Sequence, residues 1–457
     1  MSYVALDLTG VDQRQVSSRP DLVPADPDAR RELARVVAFD AVVYGLPAAY
    51  QYAQMCRQDR DSGQEPGQLV HERHLARPGF AAFRVPNVDT LYSNAWLDLR
   101  GGPVVVDLPD FGDRYFTLNL LDAFGNASNI SRRTVGDARQ VWLVPPTGTW
   151  EVPATAAGLR VGSELMWVLM RVQVRGQGDE AEVHRLQDAV VLRRPDAPGG
   201  VAGRVGPERA VVPIDPDDLA TDWVAFFQAL DGALRLAGIP AEDVVLVRRF
   251  ALLGLTGAED FAPERLGPEV RAGAAAGFAD AIRLLDACRP QLGEPVASGW
   301  TKVCDKGAHG ANHLNRAVMN HVGLAANVVE ENTSYNTYAD GDGRPLDGAT
   351  TRYEVRLETP PPAGAFWSVT LYDGEGLLVD NPIDRYAVGS ALPGLVVDPD
   401  GSVTIAIGAD DERGDPNWLP CPRGRFFLVL RIYQPGPEAL SGAWLPGPVC
   451  PVAPVSS

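Results

Sequence analysis

"RYFTLNLLDAF", residues 114–124, decides how much of the chain is read. Phe116, Leu118 and Leu120 alternate with Thr117 and Asn119, the two-residue period of a strand with one buried face. Working outward, "PVVVDLP", "QVWLVPP" and "LMWVLMRVQV" are further short strand candidates, separated by Gly, Pro and Asp turns. The stretch from about 80 to 175 therefore reads as a β-sandwich. Upstream, "DPDARRELARVVAFDAVVYGLPAAYQYAQM" reads as helix, with Asp26 or Asp28 as cap and Leu33, Val36, Val37 and Val43 as an apolar stripe. Gly45 and Pro47 in "YGLP" predict a break or kink there.

Downstream the period returns to helical. In "DPDDLATDWVAFFQALDGALRLAGIP", Leu219, Trp223, Phe226, Phe227, Leu230 and Leu234 line one face, and Gly238 closes the helix before Pro240. "GPEVRAGAAAGFADAIRLLDACRP" and "NHLNRAVMNHVGLAAN" read as two more helices. Strands resume in "RYEVRLE", "AFWSVTLYD", "SVTIAIG" and "RFFLVLRIYQP", with turns such as "DGEG" and "PDGS" between them, which indicates a second sandwich of jelly-roll type. The expected division is an arm over 1–25, a helix plus sandwich over 26–204, a helical domain over 205–330 and a second sandwich over 331–457.

A chain of 457 residues exceeds one ordinary core. Its 45% hydrophobic and 22% charged content is that of a globular protein. The formal charge is −18, and Lys302 and Lys306 are its only lysines. An acidic surface without a basic stripe argues against nucleic acid or an anionic membrane surface as partner. No stretch in this reading approaches the ~20 apolar residues of a membrane helix, and "MSYVALDLTGVDQRQ" lacks the form of a signal peptide. Cys56, Cys288, Cys304, Cys421 and Cys450 are scattered without a CxxC pair, so reduced thiols and a cytoplasmic location are expected.

"PNVDTLYSNAWLDL", "GDRYFTLNLLDAFGN" and "SRRTVG" resemble the first half of a bacterial two-module family, a domain of unknown function 1254 (DUF1254) followed by one of type 1214 (DUF1214). "DGDGRPLDGATTRYEVRLETPPPAGAFWSVTLYDGEGLLVDNPIDRYAVGS" and "NWLPCPRGRFFLVLRIYQP", ending in "GAWLPG", resemble its second half. The resemblance runs from about residue 35 to 450. It implies an α+β multidomain fold: an N-terminal immunoglobulin-like sandwich, a middle helical bundle, a C-terminal jelly roll, and association into homo-oligomers. It brings no settled reaction.

The candidate chemistry gathers first in "PNVDTLY". Asn87, Asp89 and Thr90 can close Asx- or ST-turns, and a turn that opens a strand also puts polar tips at the rim of a sandwich, where sites are built. On that second reading Asp89 is the general acid or base, with Tyr92 and Arg114 as electrostatic partners and Asn87 positioning substrate. Asp122 and Arg132 lie at the ends of adjacent strand candidates and join the set of substrate-binding residues. A second cluster, Asn381, Arg385 and Tyr386 in "DNPIDRYAVGS", offers a guanidinium for a substrate carboxylate or phosphate, against the plainer role of a local ion pair with Asp384. Asp305, His309 and His313 recur every four residues and would chelate zinc if they shared a helix face, but Gly307 and Gly310 weaken that helix and no HExxH glutamate is present.

No GxSxG, Walker or GxGxxG signature is found, and no cofactor is expected. The expected function is an intracellular enzyme that modifies a small polar or polycyclic metabolite in biosynthesis or secondary metabolism. Lyase, cyclase, isomerase or hydrolase chemistry would proceed there by acid–base catalysis. The alternatives are a non-catalytic carbohydrate- or metabolite-binding protein and a zinc-dependent hydrolase.

Overall fold

The computed structural model describes residues 22–80, 84–176, 178–195, 204–208, 213–304, 306–411 and 414–452. Helix α1 (Pro27–Ser62) starts where the Asp26 carboxylate accepts from the Ala29 amide, and it ends at Gly63 with φ of +66°. The break expected at Pro47 does not occur, and the helix runs through it. Leu46 to Ala49 are buried among neighbouring helices, and that packing outweighs the lost amide hydrogen bond. By length and composition α1 is also apolar enough to cross a membrane, contrary to the expectation above, and 61% of its most apolar stretch is buried inside the protein.

The first module has two sheets. One orders β1 (Val70–His71), β2 (Thr90–Asp98), β8 (Leu165–Gln173), β4 (Phe116–Asp122) and β5 (Ala127–Ser131) from edge to edge. The other orders β7 (Ala157–Arg160), β6 (Gln140–Val144), β3 (Val104–Asp107) and β9 (Val191–Arg193). Their inner faces share one core that includes Leu91, Leu97, Val106, Leu118, Leu143 and Val168.

The second module repeats the plan. Its larger sheet orders β10 (Glu294–Pro295), β11 (Thr301–Lys302), β12 (Asn332–Thr337), β18 (Phe426–Pro435), β14 (Ala363–Asp373) and β15 (Ala387–Gly389). The smaller orders β17 (Trp418–Pro420), β16 (Val403–Gly408), β13 (Arg352–Leu357) and β19 (Val449–Val452), and Tyr335, Val355, Leu371, Ile405 and Leu430 lie in the shared core. Helix α2 (Glu180–Asp188) covers the first module through Val183 and Leu186.

A helical bundle holds the third core. In it α1 packs against α3 (Trp223–Ala237), α4 (Pro268–Cys288) and α5 (His313–Val322), with Val42, Phe226, Leu230, Phe278 and Ala317 buried together. Two expected boundaries therefore move. Helix α1 belongs to the bundle because its apolar faces are covered by α3 and α4, and β10 and β11 already belong to the second module because they extend its larger sheet.

Candidate functional site

The strand that opened the reading is buried on both faces, from Phe116 to Asp122. Phe116, Leu118 and Leu120 enter the first module's core, while Thr117 and Asn119 lie on the opposite face. The two-residue period builds whole rows of that kind: Tyr92, Arg171, Thr117 and Ser131 stand opposite one another across four strands. The second module's larger sheet answers with Ser334, Arg431 and Ser368 in one row and Asn332, Tyr433 and Phe366 in the next. The modules thus meet through two polar sheet faces, and the polar seam between them is the candidate site.

Asn87 folds one wall of the seam. Its Oδ1 accepts from the amides of Asp89 and Thr90, both at 3.0 Å, and its Nδ2 donates to the Tyr92 hydroxyl at 2.6 Å. That Asx-turn leaves the Asp89 carboxylate to reach across the seam, where Ser368 Oγ donates to it at 2.7 Å. Burial pushes the Asp89 carboxyl above its ordinary range, and Ser368, the charge of Arg431 and a hydrogen bond from Tyr433 offset only part of that. Val85, kept from the helical region by Pro86, takes a φ of +55°, uncommon for a β-branched residue. So placed, its carbonyl accepts from Arg431 at 2.9 Å, and the Pro86 carbonyl accepts from the Tyr372 hydroxyl at 2.5 Å.

The opposite wall is made by two loops. Gly307, at φ +75°, presses against the backbone of Asn327, a spacing no Cβ would allow. Beside it Lys306 enters the seam and donates to Asn332 Oδ1 at 2.8 Å and to Ser334 Oγ at 3.5 Å. Burial, with the charges of Arg431 and Arg171, pushes the Lys306 amine down to about 7. Arg171 donates to the Ala325 carbonyl at 3.1 Å and to Asn327 Oδ1 at 3.5 Å, and lies over the Tyr92 ring. Asn119 and Asn129 hold the same 325–327 segment from the first module. Glu331, fully buried, accepts from Ser131 Oγ at 2.9 Å and from Arg133 at 3.2 Å.

Two features set the seam apart from an ordinary packed interface. Among the described residues, Arg171, Lys306 and Arg431 hydrogen-bond only to carbonyls, amides and hydroxyls, and none has a salt-bridge partner. Asp89 and Arg431 also reach partners in the opposite module, and each retains some accessible surface.

At one end of the seam lies a pocket of about 650 Å³ whose lining includes Arg114, Tyr115, Arg132, Gln173, Phe366 and Gln434. Phe366 stacks on Tyr433, with ring centroids 4.0 Å apart, and so joins pocket to seam. Arg114 is not free for substrate. It pairs through both terminal nitrogens with Asp179 and donates to the Gln173 carbonyl at 2.7 Å. Arg132 reaches the Gly112 carbonyl from the pocket's rim.

The remaining expected residues fall elsewhere. Asp122 closes its own turn, accepting from the amides of Phe124 at 2.9 Å and Asn126 at 2.8 Å, at the end of the sheet that faces the bundle. Asn381 braces the loop 381–385, accepting from the Ile383 and Arg385 amides. Arg385 donates to the carbonyls of Pro416 and Trp418 within its own module, rather than pairing with Asp384. The Tyr386 hydroxyl donates to Asp384, and its ring borders the apolar end of the seam beside Val85 and Val88.

The zinc alternative loses its geometry. Helix α5 begins only at His313, capped by Asn312, so His309 stands before the helix and no shared face forms. His313 stacks edge-on to Tyr44, and His309 sits near Asn315. Asp305 lies outside the described residues.

Sequence reasoning missed Lys306, Arg171, Arg431, Ser368 and Tyr433. One signal was there: Lys306 is one of two lysines in an arginine-rich chain. The others sit inside strand patterns, "LMRVQV", "FWSVTLY" and "LRIYQP", where a polar residue reads as the solvent face.

Two family models agree with this two-module layout. A family model described as a protein of unknown function (DUF1254) matches residues 66–194, and a second, described as a protein of unknown function (DUF1214), matches residues 331–437. The crystal structure of the VPA0106 protein from Vibrio parahaemolyticus is similar at 23% identity and a TM-score of 0.69, over 92% of this chain and 100% of that one. An uncharacterised protein from Burkholderia cenocepacia aligns at 15% identity and a TM-score of 0.41, over 94% of this chain and 89% of that one. No curated protein matches.

Proposed function

We propose, for a chain that belongs to the tandem family in which a DUF1254 domain precedes a DUF1214 domain, that it is an enzyme working at the seam between the modules. It acts on a small, polar, anionic metabolite by lyase, cyclase, isomerase or hydrolase chemistry that needs no redox cofactor. One observation carries the reading: among the described residues, three enclosed cations hydrogen-bond only to neutral groups beside an aspartate that keeps accessible surface. Buried cations call for an anion, and a bound substrate supplies it.

Arg171 and Arg431 would hold the substrate's anionic group, as guanidinium forks suit carboxylate and phosphate. Asp89, shifted by burial toward its neutral form, is the general acid and then the base. Tyr433, whose phenol burial keeps protonated, is a donor to charge developing on the substrate. Asn87 and Tyr92 orient the turn that carries Asp89. The free state of all five cysteines supports an intracellular setting. The facing pair of sheets in each module supports reading the first as immunoglobulin-like and the second as a jelly roll.

The test is metabolite profiling of the host with and without the gene, then complementation with Asp89→Asn. A metabolite should accumulate in the deletion strain and be consumed again only by the wild-type gene. Full rescue by a folded Asp89→Asn protein would remove the enzymatic role of Asp89. The Ser368 contact would then be its whole purpose, and a metabolite-binding protein becomes the better reading.

A further inference from the structure

We infer that Lys306 is the covalent residue of the seam, its amine condensing with the carbonyl of a 2-oxo acid whose carboxylate lies on Arg171 and Arg431. This rests on the seam being the working site and names its substrate class. Three placements carry it. Lys306 stands directly before the Gly307 turn, which presses against the backbone of Asn327. Asn332 Oδ1 and Ser334 Oγ take two of its hydrogens, both neutral acceptors that leave the nitrogen free to give up its charge. Ser334 stands directly across from Arg431, and Arg171 descends from the facing sheet, so two guanidiniums border one amine.

A lysine desolvated next to other cations is an activated nucleophile, and the same cations hold the anionic end of its substrate. The charged and titratable groups facing it are Arg171 and Arg431, with Asp89 beyond Ser368 on the far side of Arg431. In the condensation the amine lone pair attacks the carbonyl carbon. The C–O bond breaks, and the oxygen leaves as water with the two hydrogens of the neutral amine, giving a C=N bond. The loss of charge from the amine near pH 7 that this needs is what burial and the two arginines favour.

The experiment incubates the full-length protein with pyruvate, 2-oxobutyrate, 2-oxoglutarate or phenylpyruvate, with acetone as the control, and traps imines with cyanoborohydride. Peptide mapping then locates the adduct. Lys302, bonded to the Leu440 carbonyl at 2.5 Å, and the N-terminal amine are internal controls, since the chain has no third lysine. The expected result is a reduced adduct on Lys306 with at least one 2-oxo acid, at least tenfold above acetone, falling about tenfold in Arg431→Met. Adducts only on Lys302 or the N-terminus, or none with any of the four acids, would overturn the inference. Equal labelling by acetone would overturn the arginine clamp. Because the wild-type map decides, a variant that misfolds does not block the test. The two readings separate cleanly: no trapping while folded Asp89→Asn still loses turnover removes the lysine and leaves acid–base catalysis standing.

Discussion

Lys306 and Asp89 are buried in one seam and titrate in opposite senses. The Lys306 amine, down at about 7, binds its proton less tightly folded than unfolded. Between there and the ordinary lysine range the unfolded chain holds a proton the folded one has lost, so stability rises with pH. Below about 7 both states are protonated and the folded one carries the full cost of a buried charge. Lys306→Met should therefore gain most, relative to wild type, near pH 6.5, with the advantage fading toward pH 10. Melting temperatures across that range would check it, and a difference that does not vary with pH would contradict the buried charge. Asp89, raised by burial, behaves inversely: its folded form keeps a proton the unfolded chain gives up, and stability falls as pH rises through that window. Ser368→Ala removes the hydrogen bond that lowers Asp89. It should cost about 1 kcal/mol and move the Asp89-dependent limb of any pH–rate profile upward.

Among the elements, α1 and α4 meet by way of glycine. A Cβ on Gly277 would sit 2.1 Å from the Arg35 carbonyl oxygen, and one on Gly273 2.3 Å from that of Arg31. In an exposed helix, Gly→Ala gains up to about 1 kcal/mol from propensity. Here the clash is with backbone, which cannot swing aside, so overpacking of about 1–3 kcal/mol decides the sign. Gly277→Ala should lower the urea midpoint, whereas Gly323→Ala, with open space around it, should be nearly silent. Strand β8 shows a different economy of position. Trp167 and Leu169 on its outer face meet the bundle, while Arg171 on that face holds the 325–327 segment that leads from α5 into β12. One strand thereby joins two cores, the first module's and the bundle's.

At the scale of the molecule, Arg431 is a tie between modules: it reaches Val85 of the first while holding Tyr372 and Thr370 of its own. Replacing it with methionine removes charge-assisted bonds worth about 1.5–3 kcal/mol each at most. It should also quicken hydrogen exchange at 84–90 and 427–433 while the first module's core around 104–106 stays protected. Uniform loss of protection would mean instead that the modules fold only together. The alternation of Phe116, Leu118 and Leu120 with Thr117 and Asn119 was enough to read a strand, its inner face and, with its neighbours, a sandwich. The helices over 223–237 and 268–288 were legible in the same way, because backbone period and apolar spacing are local properties. The site was legible only at Asn87, Asp89 and Tyr92, whose turn announces itself in adjacent residues. A polar strand face looks the same whether it meets water or another protein surface. That Ser131 finds Glu331 200 positions away, and that Asp89 finds Ser368 279 positions away, was decided by tertiary packing, since only there do matched hydrogen-bonding groups repay the desolvation of both faces.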